Sequence, residues 1–180
     1  MSKIKNVVVA LGVATALGIS TLPVATYAAS ATKNITVKVN ISSVIALSAD
    51  SLSTEVSMTP NSVNTTGLKT KLTVATNNKN GYKLTVKDAD NDFSMKSGDT
   101  TETIPARAGT LSAGTAGWNI SGGDLDKVAA SSTDQTVKTN NNAANVGIQE
   151  DIQMTYGVAT SAQQAQGTYQ DIIVYTATTL

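Results

Sequence analysis

The 180-residue chain has no cysteine and no histidine, and it holds one arginine, one tryptophan and one phenylalanine. Without cysteine there is no disulfide staple, no lipid-modified anchor and no thiol nucleophile, so the fold must be held by its core. Without histidine the usual general base near neutral pH is missing, and with it the common nucleophile–base pairs and zinc sites. Catalysis would fall to carboxylates. Glu150 and Asp151 are adjacent, and neighbouring residues of a strand point to opposite faces, so this pair cannot close on one sugar as glycosidase carboxylates do. The expectation is a protein that is not an enzyme and uses no cofactor. Arg107 is the sole arginine and the lysines are scattered. Phosphate binding needs clustered basic side chains, which argues against a nucleic-acid partner.

Long apolar runs are also scarce. The single one, Val7 to Leu22, is uncharged, follows Lys3 and Lys5, and ends at Pro23, the order of a secretory signal peptide. Small residues at Thr26 and Ala28 place the cut between Ala28 and Ala29, with a second option after Ala31. A run of about 16 weakly hydrophobic residues is short for a membrane span, which needs about 20. Residues 1–28 therefore read as a signal peptide helix and 29–180 as one domain. Membrane contact is expected only through the signal before cleavage, and the location is secreted or cell-surface. Removing the signal leaves 152 residues, with 11 basic side chains against 13 acidic ones. That length suits a single core. No sorting tail follows the last strand-like run, so attachment would fall to the domain itself or to other proteins.

What is present is β periodicity. Ile35, Val37, Val39, Ile41, Ile45 and Leu47 alternate with polar residues and predict one strand over 35–47 with an apolar face. From Lys69 to Lys87, Leu72 and Val74, then Tyr82, Leu84 and Val86, flank the loop 77–81. Asn80-Gly81 tolerates positive φ, so the segment reads as a hairpin. Val146, Ile148, Ile152, Met154, Tyr156 and Val158 continue the pattern, and Glu150 falls on the apolar stripe, which suggests a bulge near Glu150-Asp151. Ile172 to Tyr175 are consecutively apolar, which suits a strand covered on both faces. Between Asp88 and Asn145 only short strands are suggested, at 93–96, 101–104 and 117–121, joined by surface loops. Many short strands without strand–helix alternation predict an all-β, single immunoglobulin-like β-sandwich.

Two places invite chemistry. Asp88, Asp90, Asn91 and Asp92 form a dense oxygen cluster, and Asp99 stands where the last ligand of a calcium loop would be. Phe93 occupies the position that needs Gly, and Asp99 replaces the bidentate Glu, so the sequence favours a solvated loop over a calcium site. Trp118 could stack on a sugar ring from a loop, but a lone Trp in so aromatic-poor a chain is expected in the core. Asn34, Asn40, Asn64 and Asn119 each open an N-x-Ser/Thr triplet, which arises by chance in a chain this rich in Asn, Ser and Thr.

The alternating stretch at 35–47, the run Val74 to Val86 with its Asn-rich loop, the Ile104-Pro105 and Gly117-Trp118 steps, and the closing Gly167-Thr168-Tyr169 before Ile172 to Thr178 resemble small secreted or surface β-sandwich proteins of bacteria, of Gram-positive or candidate-phylum type. The likeness to cell-wall-binding WxL domains is distant, because the chain carries Trp118-Asn119-Ile120 in place of Trp-x-Leu. Spore-coat-U-like and archaic pilin domains share the closing Gly-x-Tyr strand, although this chain lacks the cysteines many of them carry. The resemblance implies a structural or adhesive surface protein whose partners are other surface proteins or cell-wall or host glycans. A second expectation is a fibre subunit that pairs with its own copies by strand exchange through residues 29–47, since main-chain pairing does not distinguish its own sheet from a neighbour's. The third is a carbohydrate-binding module built on Trp118.

Overall fold

The computed structural model describes residues 30–142, 144 and 146–180. The signal peptide and its cleavage point at Ala28 and Ala29 lie outside these residues. The chain divides into an N-terminal unit up to Val39 and a second unit, Asn40–Leu180. The described part of the first, residues 30–39, carries no strand and is exposed throughout. The second is all-β, and no helix occurs among its described residues.

Five strands form the first layer: β1 (Ile45–Ala49), β2 (Val63–Thr76), β6 (Gly117–Gly122), β7 (Leu125–Val128) and β9 (Ile148–Ala159), in the order β1-β2-β9-β6-β7. The second layer consists of two three-stranded sheets. One is β11 (Ile173–Thr179), β3 (Tyr82–Asp88) and β8 (Gln135–Asn140); the other is β10 (Tyr169–Gln170), β4 (Ser94–Ser97) and β5 (Thr103–Pro105). All named pairings are antiparallel. β3 leads into β4 and β10 into β11, so the two small sheets are one layer interrupted at 89–93 and 171–172. The Ala89 N–H donates to Ile172 O at 3.0 Å and carries the ladder one step into that break. Between the layers a single core gathers Leu72, Val74, Ile120 and Met154 from one side and Tyr82, Leu84, Val86 and Val137 from the other. This is the β-sandwich that the alternation predicts, because each strand offers one apolar face and two layers are needed to cover both.

Four local expectations change. The hairpin over 69–87 is an arch: β2 pairs with β1 and β9, β3 pairs with β11 and β8, and the loop 77–81 crosses from one layer to the other. Leu72 and Val74 do oppose Tyr82, Leu84 and Val86, but across the core rather than along a ladder. Gly81 has φ 92°, and an added Cβ would stand 1.7 Å from Asn140 O, so the tight crossing admits only glycine. No bulge interrupts β9 at Glu150; the register runs unbroken from Leu68↔Tyr156 to Thr76↔Ile148, and the irregularity lies instead between Asn64 and Leu68. The last strand is not covered on both faces. It breaks at Asp171-Ile172, Ile172 is 69% exposed, and β11 is an edge strand paired only with β3. Finally, the strand expected over 35–47 exists only from Ile45, because β2 ends at Thr76 and offers nothing beyond Ile45↔Thr76 to pair with.

Candidate functional site

The residues left over from that strand form the first feature. Ile35, Val37, Val39 and Ile41 keep their period of two, yet they are 84, 83, 79 and 83% exposed. Four β-branched apolar residues at a period of two have the sequence pattern of a strand face, but no strand is formed there. The end of this segment is anchored. Asn77 Nδ2 donates to Ser42 O at 2.9 Å, and the Val44 N–H donates to Asn77 Oδ1 at 2.8 Å, which holds the chain beside the end of β2.

The second feature lies along the other half of β2. Pairing with β1 stops at Ala49↔Leu72, and the Asp50 N–H closes it on Lys71 O at 3.0 Å. Past that point the chain runs on as residues 52–60, in which Thr54, Val56 and Met58 are half-buried while Glu55 and Ser57 face out. Among the described residues, none of 52–60 makes a main-chain to main-chain hydrogen bond. The Thr70 hydroxyl on Ser51 O at 3.0 Å and the Thr160 hydroxyl on Thr59 O at 2.9 Å hold the strap at its ends, and Val56 and Met58 pack its middle against the core. Beneath it, between the open edge of β2 and the β10 side of the second layer, is a cleft of about 900 Å³ floored by Leu68, Trp118, Tyr156, Val158, Met95 and Ile104. Its walls are the mixed polar and apolar residues 51–60 and 164–173, and Leu68, Trp118, Tyr156, Val158 and Ile104 beneath them are already buried.

Trp118 is 1% exposed, and its indole N–H donates to Phe93 O at 3.1 Å. The ring is part of the core, the place expected for it, and not on a loop where it could stack on a sugar. Asn119, 3% exposed, is likewise buried, with Nδ2 donating to Gly109 O at 2.7 Å. The chain matches no protein-family model, no curated protein and no solved structure. Any functional reading therefore stands on the residues and their geometry.

The acidic loop is the third feature, and its membership differs from the linear expectation. Asp88 and Asp90 are brought together, but Asp92 turns to Lys96 at 2.8 Å and Asp99 takes no part in the cluster. Their third member is Asp171, which the pairing Ile173↔Asp88 delivers from the other end of the domain. Asp88 is 3% exposed. Its Oδ1 accepts the N–H groups of Asp90 at 2.9 Å and Asn91 at 2.8 Å, while its Oδ2 is buried without a partner, as is Asp171 Oδ2. Burial, joined by the charges of Asp88, Asp90 and Asp92, pushes the Asp171 carboxyl up to about 6, although the Ile172 N–H on it acts the other way.

Glu150 is a further residue that sequence reasoning left unexplained. It points into the sandwich because its partners are there: the Tyr82 hydroxyl donates to Oε2 at 2.6 Å and Asn140 Nδ2 donates to the same oxygen at 2.9 Å. The carboxylate thus ties β9 to β3 and β8 across the layers, a structural role that its place on the apolar stripe could have signalled.

Proposed function

We propose that the protein is a non-enzymatic structural subunit of an exported bacterial surface assembly, whose copies join by strand addition. Residues 35–41 of one copy enter the cleft beside β2 of the next. The observation that carries this reading is the exposed stripe of Ile35, Val37, Val39 and Ile41, an apolar strand face with no partner. Its counterpart is the cleft at Leu68 and Thr70, where one edge of β2 has no neighbouring strand past Leu72.

Chain reach favours a second copy over self-insertion. A strand advances about 3.3 Å per residue, so from its anchor at Asn77 the segment back to Ile35 extends only about as far as the level of Thr70. The slot begins there and continues toward Asn64, out of reach of the protein's own stripe. Burying four such side chains contributes about 6–12 kcal/mol, comparable to the roughly 4–15 kcal/mol that association costs. The new main-chain ladder then decides the outcome, as it does in strand addition generally. The signal peptide reading and the likeness to archaic pilin and spore-coat-U-like sandwiches support the same function. The buried Trp118 removes the support for a sugar-binding module.

Size-exclusion chromatography of the full chain across a concentration series tests the reading. The expected result is a ladder of oligomers that collapses to monomer in Val37→Asp and Val39→Asp, with the far-UV spectrum unchanged. A chain that stays monomeric at every concentration, or oligomers indifferent to both substitutions, would overturn it.

A further inference from the structure

We propose that Asp88, Asp90 and Asp171 form a calcium site at the break between the two halves of the second layer. One carboxylate oxygen from each of the three lies within 4.8 Å of the other two. Two oxygens sharing a calcium ion at about 2.4 Å can be no more than about 4.8 Å apart, a condition that all three pairs meet. Proximity alone would describe any acidic patch. The deciding observation is Asp88, a side chain 97% removed from solvent whose Oδ2 has no hydrogen-bond partner, in a cluster whose Asp171 Oδ2 is likewise buried and unpaired. Buried polar atoms are almost always satisfied, and two buried carboxylate oxygens in one cluster carry both a desolvation penalty and mutual repulsion.

The side chains around the cluster do not relieve this. Lys96 lies 2.8 Å from Asp92 and 3.9 Å from Asp90 at the exposed rim; its charge also acts on Asp171, but it donates no hydrogen bond to either buried Oδ2. The Asp90 and Asn91 N–H groups are used on Asp88 Oδ1, and the Ile172 N–H is used on Asp171 Oδ1 at 2.7 Å. Neither buried Oδ2 is left with a donor. A hard divalent cation with oxygen ligands and tolerant geometry meets that need, with water completing its coordination beyond the three carboxylates.

The placement has a structural purpose. Asp88 and Asp90 flank the start of the 89–93 interruption, and Asp171 lies in the 171–172 interruption opposite it. An ion between them would clamp β3 to the β10–β11 turn where the ladder is missing. Asp171 and Ile172 also line the cleft beside β2, so the ion would set the position of one cleft wall.

Calorimetric titration of the full chain with calcium chloride, and thermal melts in EDTA against 10 mM calcium, test the site. The expected result is one ion per chain with Kd on the order of 10⁻⁴–10⁻³ M, and a Tm rise of about 5 °C. Both should vanish in Asp171→Asn and weaken about tenfold or more in the exposed variant Asp90→Asn, while Asp99→Asn behaves as the parent. Asp90→Asn serves as the test if Asp171→Asn does not fold. Absence of heat and of any calcium-dependent Tm change in the parent chain, or an Asp99→Asn effect as large as that of Asp90→Asn, would falsify it. Oligomer formation is a separate readout, so this result and that of the strand-addition test are independent.

Discussion

A carboxylate inside a core shows most directly how single residues set the properties of this fold. Burial acts to raise the Glu150 pKa, but the hydrogen bonds from Tyr82 and Asn140 and the charge of Lys138 outweigh it, and the group is held below its ordinary value of 4.5. A folded pKa below the unfolded one means that Glu150 contributes stability above its unfolded value, and that this is lost as pH falls through the folded one. Replacement by Gln keeps an acceptor and removes the charge, so the Tm of Glu150→Gln should fall less steeply than the parent's when followed by circular dichroism below about pH 4.5. Glu150→Ala should cost about 1–3 kcal/mol at pH 7 in a urea melt, since it strands the buried Tyr82 hydroxyl. Trp118 is a second case. Its emission should be blue-shifted and resistant to acrylamide, and Trp118→Phe should lower stability by about 1–3 kcal/mol through a small cavity, the Phe93 carbonyl keeping the Ala106 N–H as its donor. An exposed, readily quenched tryptophan would contradict the core assignment.

At the level of elements, the arch at 77–81 is the joint on which the two layers depend. Gly81→Ala combines a disfavoured φ with a clash against the Asn140 carbonyl. It should destabilise by about 2–6 kcal/mol in urea unfolding, whereas Gly98→Ala, with nothing within 4 Å of an added Cβ, should be near neutral. The same arch marks the limit of what alternation reveals. Period two states which side chains face inward, and it does so correctly for Leu72, Val74, Tyr82, Leu84 and Val86. It is silent on which strand lies alongside, so a hairpin and an arch read alike from residues 69–87. The pattern also says nothing about where a partner runs out. Residues 35–41 look like the start of β1, and only the end of β2 at Thr76 shows why they are not. Strands β7 and β8 escape notice because they carry few apolar residues, with Val137 the sole fully buried side chain of β8. The cation cluster was half legible. Asp88 and Asp90 stand out locally, but Asp171 lies more than eighty positions away, and only the β3–β11 ladder brings it in.

For the molecule as a whole, the sandwich is assembled almost entirely from distant pairings, such as Val63 with Ala159 and Tyr82 with Thr179. Closing such loops precedes any reward from the contacts they allow, so refolding from urea, followed by Trp118 fluorescence in stopped flow, should take milliseconds to seconds rather than microseconds. The absence of cysteine means that reductant should leave both the rate and the midpoint unchanged. The exposed stripe ahead of the anchor on Asn77 has a consequence for assembly beyond affinity. In the proposed strand addition the donor stripe and the acceptor cleft are different surfaces of the chain, so the contact would be heterologous and would either propagate as a row or close as a ring or a reciprocal swap. A row formed in the proposed way would have a direction, with one tip ending in a vacant slot and the other in a bare stripe. A free peptide copying residues 33–43 would therefore arrest growth at the vacant tip alone and leave the opposite tip competent to extend.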